Sequence, residues 1–215
     1  MRDVAEVEIE RFVSTCRQAA RRRLVTCSSG NMSQRINDTC MLATATRSWM
    51  DRLSAEDVAV CCIRDGTAVN GRKPTVEIAF HAQIMRSRPD VNVVLHFQTP
   101  FATTLACRQE ADVNYFVIPE IPYYIGSVGR VPYLPPGSPE LAAAVSEAMN
   151  EHDMVVLANH GLVTVGEDFD RVIENAEFFE LASRIIVQAG GAAKPLSNEA
   201  VRQLRAARQQ ARGTG

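Results

Sequence analysis

Apolar residues recur every three to four positions at Val4, Val7, Phe12, Cys16 and Ala19, with charges between them, and this spacing predicts an opening helix over Val4 to Arg23. The same period returns at Phe169, Val172, Ile173, Ala176, Phe179, Ala182, Ile185, Ile186 and Ala189, where Gly190-Gly191 supplies a stop. Between these helices the pattern changes. Short apolar runs at Met41 to Thr46, Val58 to Ile63, Val91 to Gln98 and Met154 to Ala158 read as strands. Glu77 to Arg88 reads as a helix ended by Arg88-Pro89, and Ser138 to about Asn150 as one opened by a serine cap and Pro139 at its first position. Ser54, with Asp57 three residues on, predicts one capped helical turn. Arg202, Arg205, Arg208 and Arg212 sit at helix-like spacing in a tail that reads as a solvated, fraying helix.

Alternating strands and helices indicate an α/β fold. A length of 215 residues suits one hydrophobic core, so one domain is expected over 1–215, with a tail from about 190. Hydrophobic residues at 46% and charged residues at 22% describe an ordinary folded protein. Lys plus Arg total 23 against 25 Asp plus Glu, so there is no global basic field for nucleic acid. No apolar run reaches the roughly 18 residues a membrane span needs, and Met1 to Glu10 carries four acidic residues, so neither insertion nor export is expected. Six cysteines without C-x-x-C spacing read as mostly buried, reduced thiols of a cytoplasmic protein. Neither a G-x-G-x-x-G nor a G-x-x-x-x-G-K-[ST] motif is present.

Candidate chemistry concentrates in a few residues. Period two places His96 and Gln98 on one strand face, His160 closes another strand beside Gly161, and Glu77 opens the helix between them. Two imidazoles, an amide oxygen and a carboxylate at one sheet edge would suit a cation or proton transfer, although a histidine taken singly is more often a hydrogen-bonded structural residue than a ligand. His81, four residues after Glu77, reads as its hydrogen-bond partner, and His152, in a polar turn, as solvated. Ser28-Ser29-Gly30-Asn31, Thr44-Ala45-Thr46-Arg47 and Lys73-Pro74-Thr75 offer N–H groups and hydroxyls that suit an anion, or ordinary turns.

The order of Ser29-Gly30-Asn31-Met32-Ser33, Lys73-Pro74-Thr75-Val76-Glu77, Val94-Leu95-His96-Phe97-Gln98-Thr99-Pro100, Ile118-Pro119-Glu120-Ile121-Pro122-Tyr123 and Ala158-Asn159-His160-Gly161-Leu162 resembles the class II aldolase/adducin-like family, from about Ala5 to Ala189. The resemblance implies a three-layer α/β/α sandwich with a mostly antiparallel central sheet, assembled as a homotetramer with sites at subunit borders. It implies His96, Gln98 and His160 as metal ligands, Glu77 as ligand or proton carrier, and Tyr123 as a proton donor reaching a neighbouring subunit. Ser29, Gly30, Asn31, Thr46 and Thr75 match positions that cradle a substrate phosphate.

Three departures stand out: Gln98 replaces the second histidine of His-x-His, Arg47 follows Thr46 where the family has glycine, and Val76 replaces a serine. The implied activity is a divalent-metal-dependent aldolase cleaving a small phosphorylated ketose or hydroxy-ketone through a metal-stabilised enediolate. An epimerase, a dehydratase, a decarboxylase or a non-catalytic adducin-like interaction domain are the alternatives. Zinc is the first expectation, with Mn, Co, Fe or Mg admitted by the harder amide oxygen, and Arg47 is a candidate clamp for phosphate or carboxylate.

Overall fold

A computed structural model describes residues 4–108 and 113–213; the expected domain span and tail also include residues 1–3, 109–112 and 214–215, which lie outside the described residues. The strands are β1 (Asn31–Arg35), β2 (Cys40–Thr44), β3 (Val58–Cys62), β4 (Val93–Phe97), β5 (Val128–Val131), β6 (Met154–Leu157) and β7 (Gly161–Gly166). They form one seven-stranded sheet in the order β3-β2-β1-β4-β7-β6-β5. Every pairing is antiparallel except β5 with β6, as the resemblance implied. The helices are α1 (Glu6–Arg21), α2 (Ile78–Ser87), α3 (Pro100–Ala106), α4 (Pro139–Met149), α5 (Phe169–Gln188) and α6 (Asn198–Gly213).

Strand alternation divides the core into two layers. Val93, Leu95 and Phe97 of β4 join Phe12 of α1, Leu105 of α3 and Phe179 of α5 on one face. Val94 joins Phe80 of α2 and Val145 of α4 on the other, the face to which His96 also belongs, with its ring edge-on to Phe80 at 6.3 Å between centroids. Each fully buried Phe or Leu contributes about 1.5–3 kcal/mol relative to exposure. The predicted turn forms at Ala55–Asp57, where the Ser54 N–H and hydroxyl both donate to Asp57 Oδ2 at 2.9 and 2.8 Å. Ser138 accepts from Leu141 N at 3.1 Å, as its place before Pro139 requires.

Several elements depart from the pattern read in the chain. Strands β1, β5 and β7, helix α3 and a π-helical turn at Ile121–Ile125 have no strong periodic signal. The tail is docked rather than fraying: Val201 is buried, Arg205 stacks on Phe116 at 4.9 Å, and Arg208 pairs with the buried Asp153. His152 is not simply solvated, because its Nδ1 shares a 2.7 Å hydrogen bond with the Ser127 hydroxyl. All six cysteines are free thiols, but only Cys16, Cys40 and Cys61 are buried; Cys27 and Cys107 are exposed. No described helix is long and apolar enough to cross a membrane.

Candidate functional site

Two of the predicted polar loops are stitched together before any catalytic geometry arises. Thr46 N donates to Lys73 O at 3.0 Å and Thr75 N to Thr44 O at 2.9 Å, so the end of β2 and the approach to α2 run side by side. Thr75 Oγ1 accepts from Glu77 N at 3.3 Å, and Glu77 becomes the residue capping α2, only 4% exposed. Opposite it, Asn31 of β1 is paired with His96 of β4 in the sheet register. His160 closes the tight β6–β7 turn, in which Asn159 takes φ 55°.

Glu77 Oε2 lies 3.5 Å from His96 Nε2, and Oε1 lies 3.6 Å from His160 Nε2. One ligand atom from each of the three residues falls within 4.8 Å of the others. His96 Nδ1 lies 2.9 Å from the Leu162 carbonyl, an acceptor, so Nδ1 carries the proton and the Nε2 lone pair faces Glu77. Gln98 stands at the same wall, past the end of β4, and its amide nitrogen donates to the His160 carbonyl at 2.8 Å. That bond fixes the amide, and the Gln98 Oε1 is the atom it can offer a cation.

The three-residue cluster fits a divalent ion on grounds of its own. Glu77 Oε1, which faces His160 Nε2, is a buried polar atom without a hydrogen-bond partner among the described residues. Ligand atoms around a tetrahedral zinc at ~2.1 Å stand ~3.4 Å apart, close to the 3.6 Å from Glu77 Oε1 to His160 Nε2. Burial alone would raise the Glu77 carboxyl, but the neighbouring His96, the Asn31 hydrogen bond, His160 and His81 outweigh it and hold the pKa below the ordinary value. Burial, then the adjacent His96, lowers that of His160, favouring the neutral ring a metal ligand must be.

His81 is the residue whose role the chain's pattern misassigned. It does not bond Glu77 directly. Its Nε2 lies 2.6 Å from Asn31 Oδ1 and its Nδ1 2.7 Å from the Ser33 hydroxyl, while Asn31 Nδ2 donates to Glu77 Oε2 at 2.8 Å. Asn31 therefore reaches the carboxylate with one amide N–H while still lining the cleft. The i, i+4 spacing of Glu77 and His81 was visible; the bridging role of Asn31-x-Ser33 needed the strand beneath.

Above the cluster opens a cleft of ≈ 300 Å³ lined by Ser28 to Asn31, Ala45 to Ser48, Thr75, Val76, Glu77, His96, Gln98, Pro136 and His160. It lies at the small end of the ~300–1,000 Å³ range of ligand sites. Gly30 has φ +76°, and a Cβ there would come 2.5 Å from Val25 Cγ1 and 2.7 Å from the His96 carbonyl. The Ser29 hydroxyl already accepts from Thr26 N at 3.0 Å. Arg47, at φ 62°, is exposed and has no hydrogen bond or ion pair among the described residues. Tyr123 is not brought to this cleft: it lies on the π-turn, edge-on to Tyr124 at 4.8 Å.

Comparison with known proteins places these features in a wider setting. The family model described as Class II Aldolase and Adducin N-terminal domain matches residues 10–187. A 3-oxo-tetronate 4-phosphate decarboxylase of Haemophilus influenzae is 31% identical over 89% of this chain and 91% of its own length. An L-fuculose phosphate aldolase of Methanococcus vannielii is 31% identical over 83% and 95%. The crystal structure of YgbL from Klebsiella pneumoniae superposes with a TM-score of 0.87 at 28% identity, covering 94% of this chain and 100% of that one.

Proposed function

The chain belongs to the class II aldolase and adducin family, and from that premise we propose that it is a divalent-metal-dependent carbon–carbon lyase that decarboxylates a small phosphorylated 3-oxo sugar acid. The observation that carries this reading is the cluster of buried Glu77 and His96 with half-buried His160, and its orphaned carboxylate oxygen, at the floor of a cleft rimmed by hydroxyl and N–H groups that suit an anion. A non-catalytic interaction domain has no use for such a cluster. The decarboxylase is preferred to the aldolase because relatives of that name match at 31–32% identity over up to 89% of the chain, somewhat more than the 30–31% over 81–83% of those named as aldolases. Arg47 agrees with it, since a sugar-acid phosphate carries two anionic ends. Aldol cleavage is the second reading, favoured by the relatives named as fuculose-phosphate aldolases.

His96, His160 and Glu77, with the Gln98 oxygen as the harder fourth donor, would hold the ion, zinc first and Mn, Co, Fe or Mg next. A bound divalent ion supplies Lewis-acid withdrawal of electrons from the substrate's keto oxygen. The chain's own groups do the rest. The N–H groups of the 28–31 loop, with Ser29, Gly30, Thr46 and Thr75, bind the phosphate, and Arg47 clamps an anionic end in the left-handed conformation that holds it at the rim. As the carboxylate-bearing bond breaks, CO2 leaves and the electron pair passes toward the keto oxygen. Glu77 then carries a solvent proton to the carbon that lost CO2. Tyr123, remote from this chain's cleft, would serve the site of a neighbouring copy in a homotetramer. Six free thiols agree with work in the cytoplasm.

The test offers the metal-loaded protein phosphorylated 3-oxo sugar acids and ketose phosphates side by side. We expect CO2 from the acids, with kcat falling about 10²–10⁴-fold in Glu77→Gln. Aldehyde from the ketose phosphates and no CO2 would establish the aldolase instead; turnover of neither would defeat both readings.

A further inference from the structure

Four buried polar side chains between α2 and β1 have only one consistent direction of hydrogen bonding. An ionised carboxylate only accepts, so Asn31 must turn its NH2 to Glu77 Oε2, 2.8 Å away. Its Oδ1 then faces His81 Nε2 at 2.6 Å, which requires the ring proton on Nε2. Nδ1 is left with a lone pair, and the Ser33 hydroxyl, 2.7 Å away, donates to it. Ser33 and His81 are 0% exposed and Asn31 6%, so water does not stand in for any member. Burial lowers the His81 pKa to about 3, and the ring stays in the neutral form that has one donor and one acceptor.

The consequence falls on Glu77. One oxygen, Oε2, 3.5 Å from His96 Nε2, already accepts the Asn31 hydrogen bond, while Oε1 has no hydrogen bond among the described residues and lies 3.6 Å from His160 Nε2. We propose that His81 and Asn31, with Ser33 behind them, are positioning residues that hold the Glu77 carboxylate turned so that Oε1 is the oxygen presented to the cation. This rests on the cation reading of the site. It also spends Asn31 Oδ1 on His81 and one of its two amide N–H groups on Glu77, leaving the second N–H for the cleft that Asn31 lines.

Two substitutions of the same chemical kind separate positioning from mere filling of a buried space. In His81→Gln the amide nitrogen reaches nearly as far as the ring Nε2 and can still donate to Asn31. In His81→Asn the amide stops near the position of Nδ1, meets Ser33 and falls short of Asn31. Titration of cobalt(II) alone into the metal-free full chain, followed by calorimetry and by the visible cobalt spectrum, reads the result. Wild type and His81→Gln should bind within about threefold of each other with the same spectrum, whereas His81→Asn should bind about 10–100-fold more weakly with a shifted spectrum, the usual range for losing a group that orients a ligand. Ser33→Ala, which removes the far donor with little change of volume, should weaken binding in the same direction and decides the matter if His81→Asn does not fold. Wild-type affinity and spectrum in His81→Asn or, failing that, in Ser33→Ala would overturn the relay while leaving the cation site standing. No cobalt bound by wild type would overturn both together.

Discussion

A methyl group on Gly30 measures how tightly the cleft is built. It would meet Val25 Cγ1 at 2.5 Å and the backbone carbonyl of His96 at 2.7 Å, on a residue already at φ +76°. The carbonyl belongs to the strand that carries a candidate ligand and cannot swing aside. Gly30→Ala should therefore cost about 1–3 kcal/mol of stability and weaken cation binding as well, read by denaturant unfolding and by calorimetry. Unchanged stability would mean that the loop gives freely. His81 makes a second prediction. The unfolded ring takes up a proton below 6.5, but the folded ring refuses it until about 3. Folded-state stability should thus fall as pH drops through that window, by up to about 1.4 kcal/mol per unit. The lowered His160 and Glu77 act in the same direction. Melting temperature against pH should be shallower for His81→Gln than for wild type between pH 6.5 and 4; equal slopes would contradict the assignment. Glu77, His96 and His160 were legible because each stands at the end of a predicted element. His81 was misread because its partner belongs to a strand with almost no apolar signature.

That strand shows why some elements are readable from sequence and others are not. β1 is Asn-Met-Ser-Gln-Arg, and its polar Asn31 and Ser33 are buried because α2 supplies their partners, a fact no local pattern contains. α3 is short and rich in threonine, and its first free N–H groups are satisfied from far along the chain: Glu180 of α5 accepts from Phe101 N at 3.0 Å and Ala102 N at 2.8 Å. α1, α4 and α5, by contrast, carry their own periodicity, α4 and α5 with side-chain caps as well, and were readable to within two residues. α6 was readable as a helix but not as a docked one. Its Arg208 pairs with Asp153, which also bonds Arg88 at 3.0 Å. Because Arg88 remains to balance the carboxylate, Arg208→Ala should cost about 1–2 kcal/mol, less than breaking an isolated buried pair. For a chain of this size that lowers the melting temperature by about 2–4 °C per kcal/mol. An unshifted melt would show the tail to be dispensable for stability.

At the scale of the whole molecule, the sheet order does what the sequence alone only implied. β1 lies against β4, and β4 against β7, so Asn31, His96 and the His160 turn meet although many residues separate them. α2 lies on the face to which His96 belongs and delivers Glu77 to the same point. A cation held there binds only the folded chain, since the unfolded chain has no such convergence, and should raise the melting temperature with its concentration. The central claim is that this convergence is a cation site. Its most direct test is elemental analysis of the full chain purified from metal-replete cells, beside His96→Ala and His160→Ala variants shown to be folded. The account predicts about one divalent ion per wild-type chain and little in either variant; an equal metal content in all three, or none in the wild type, would contradict it.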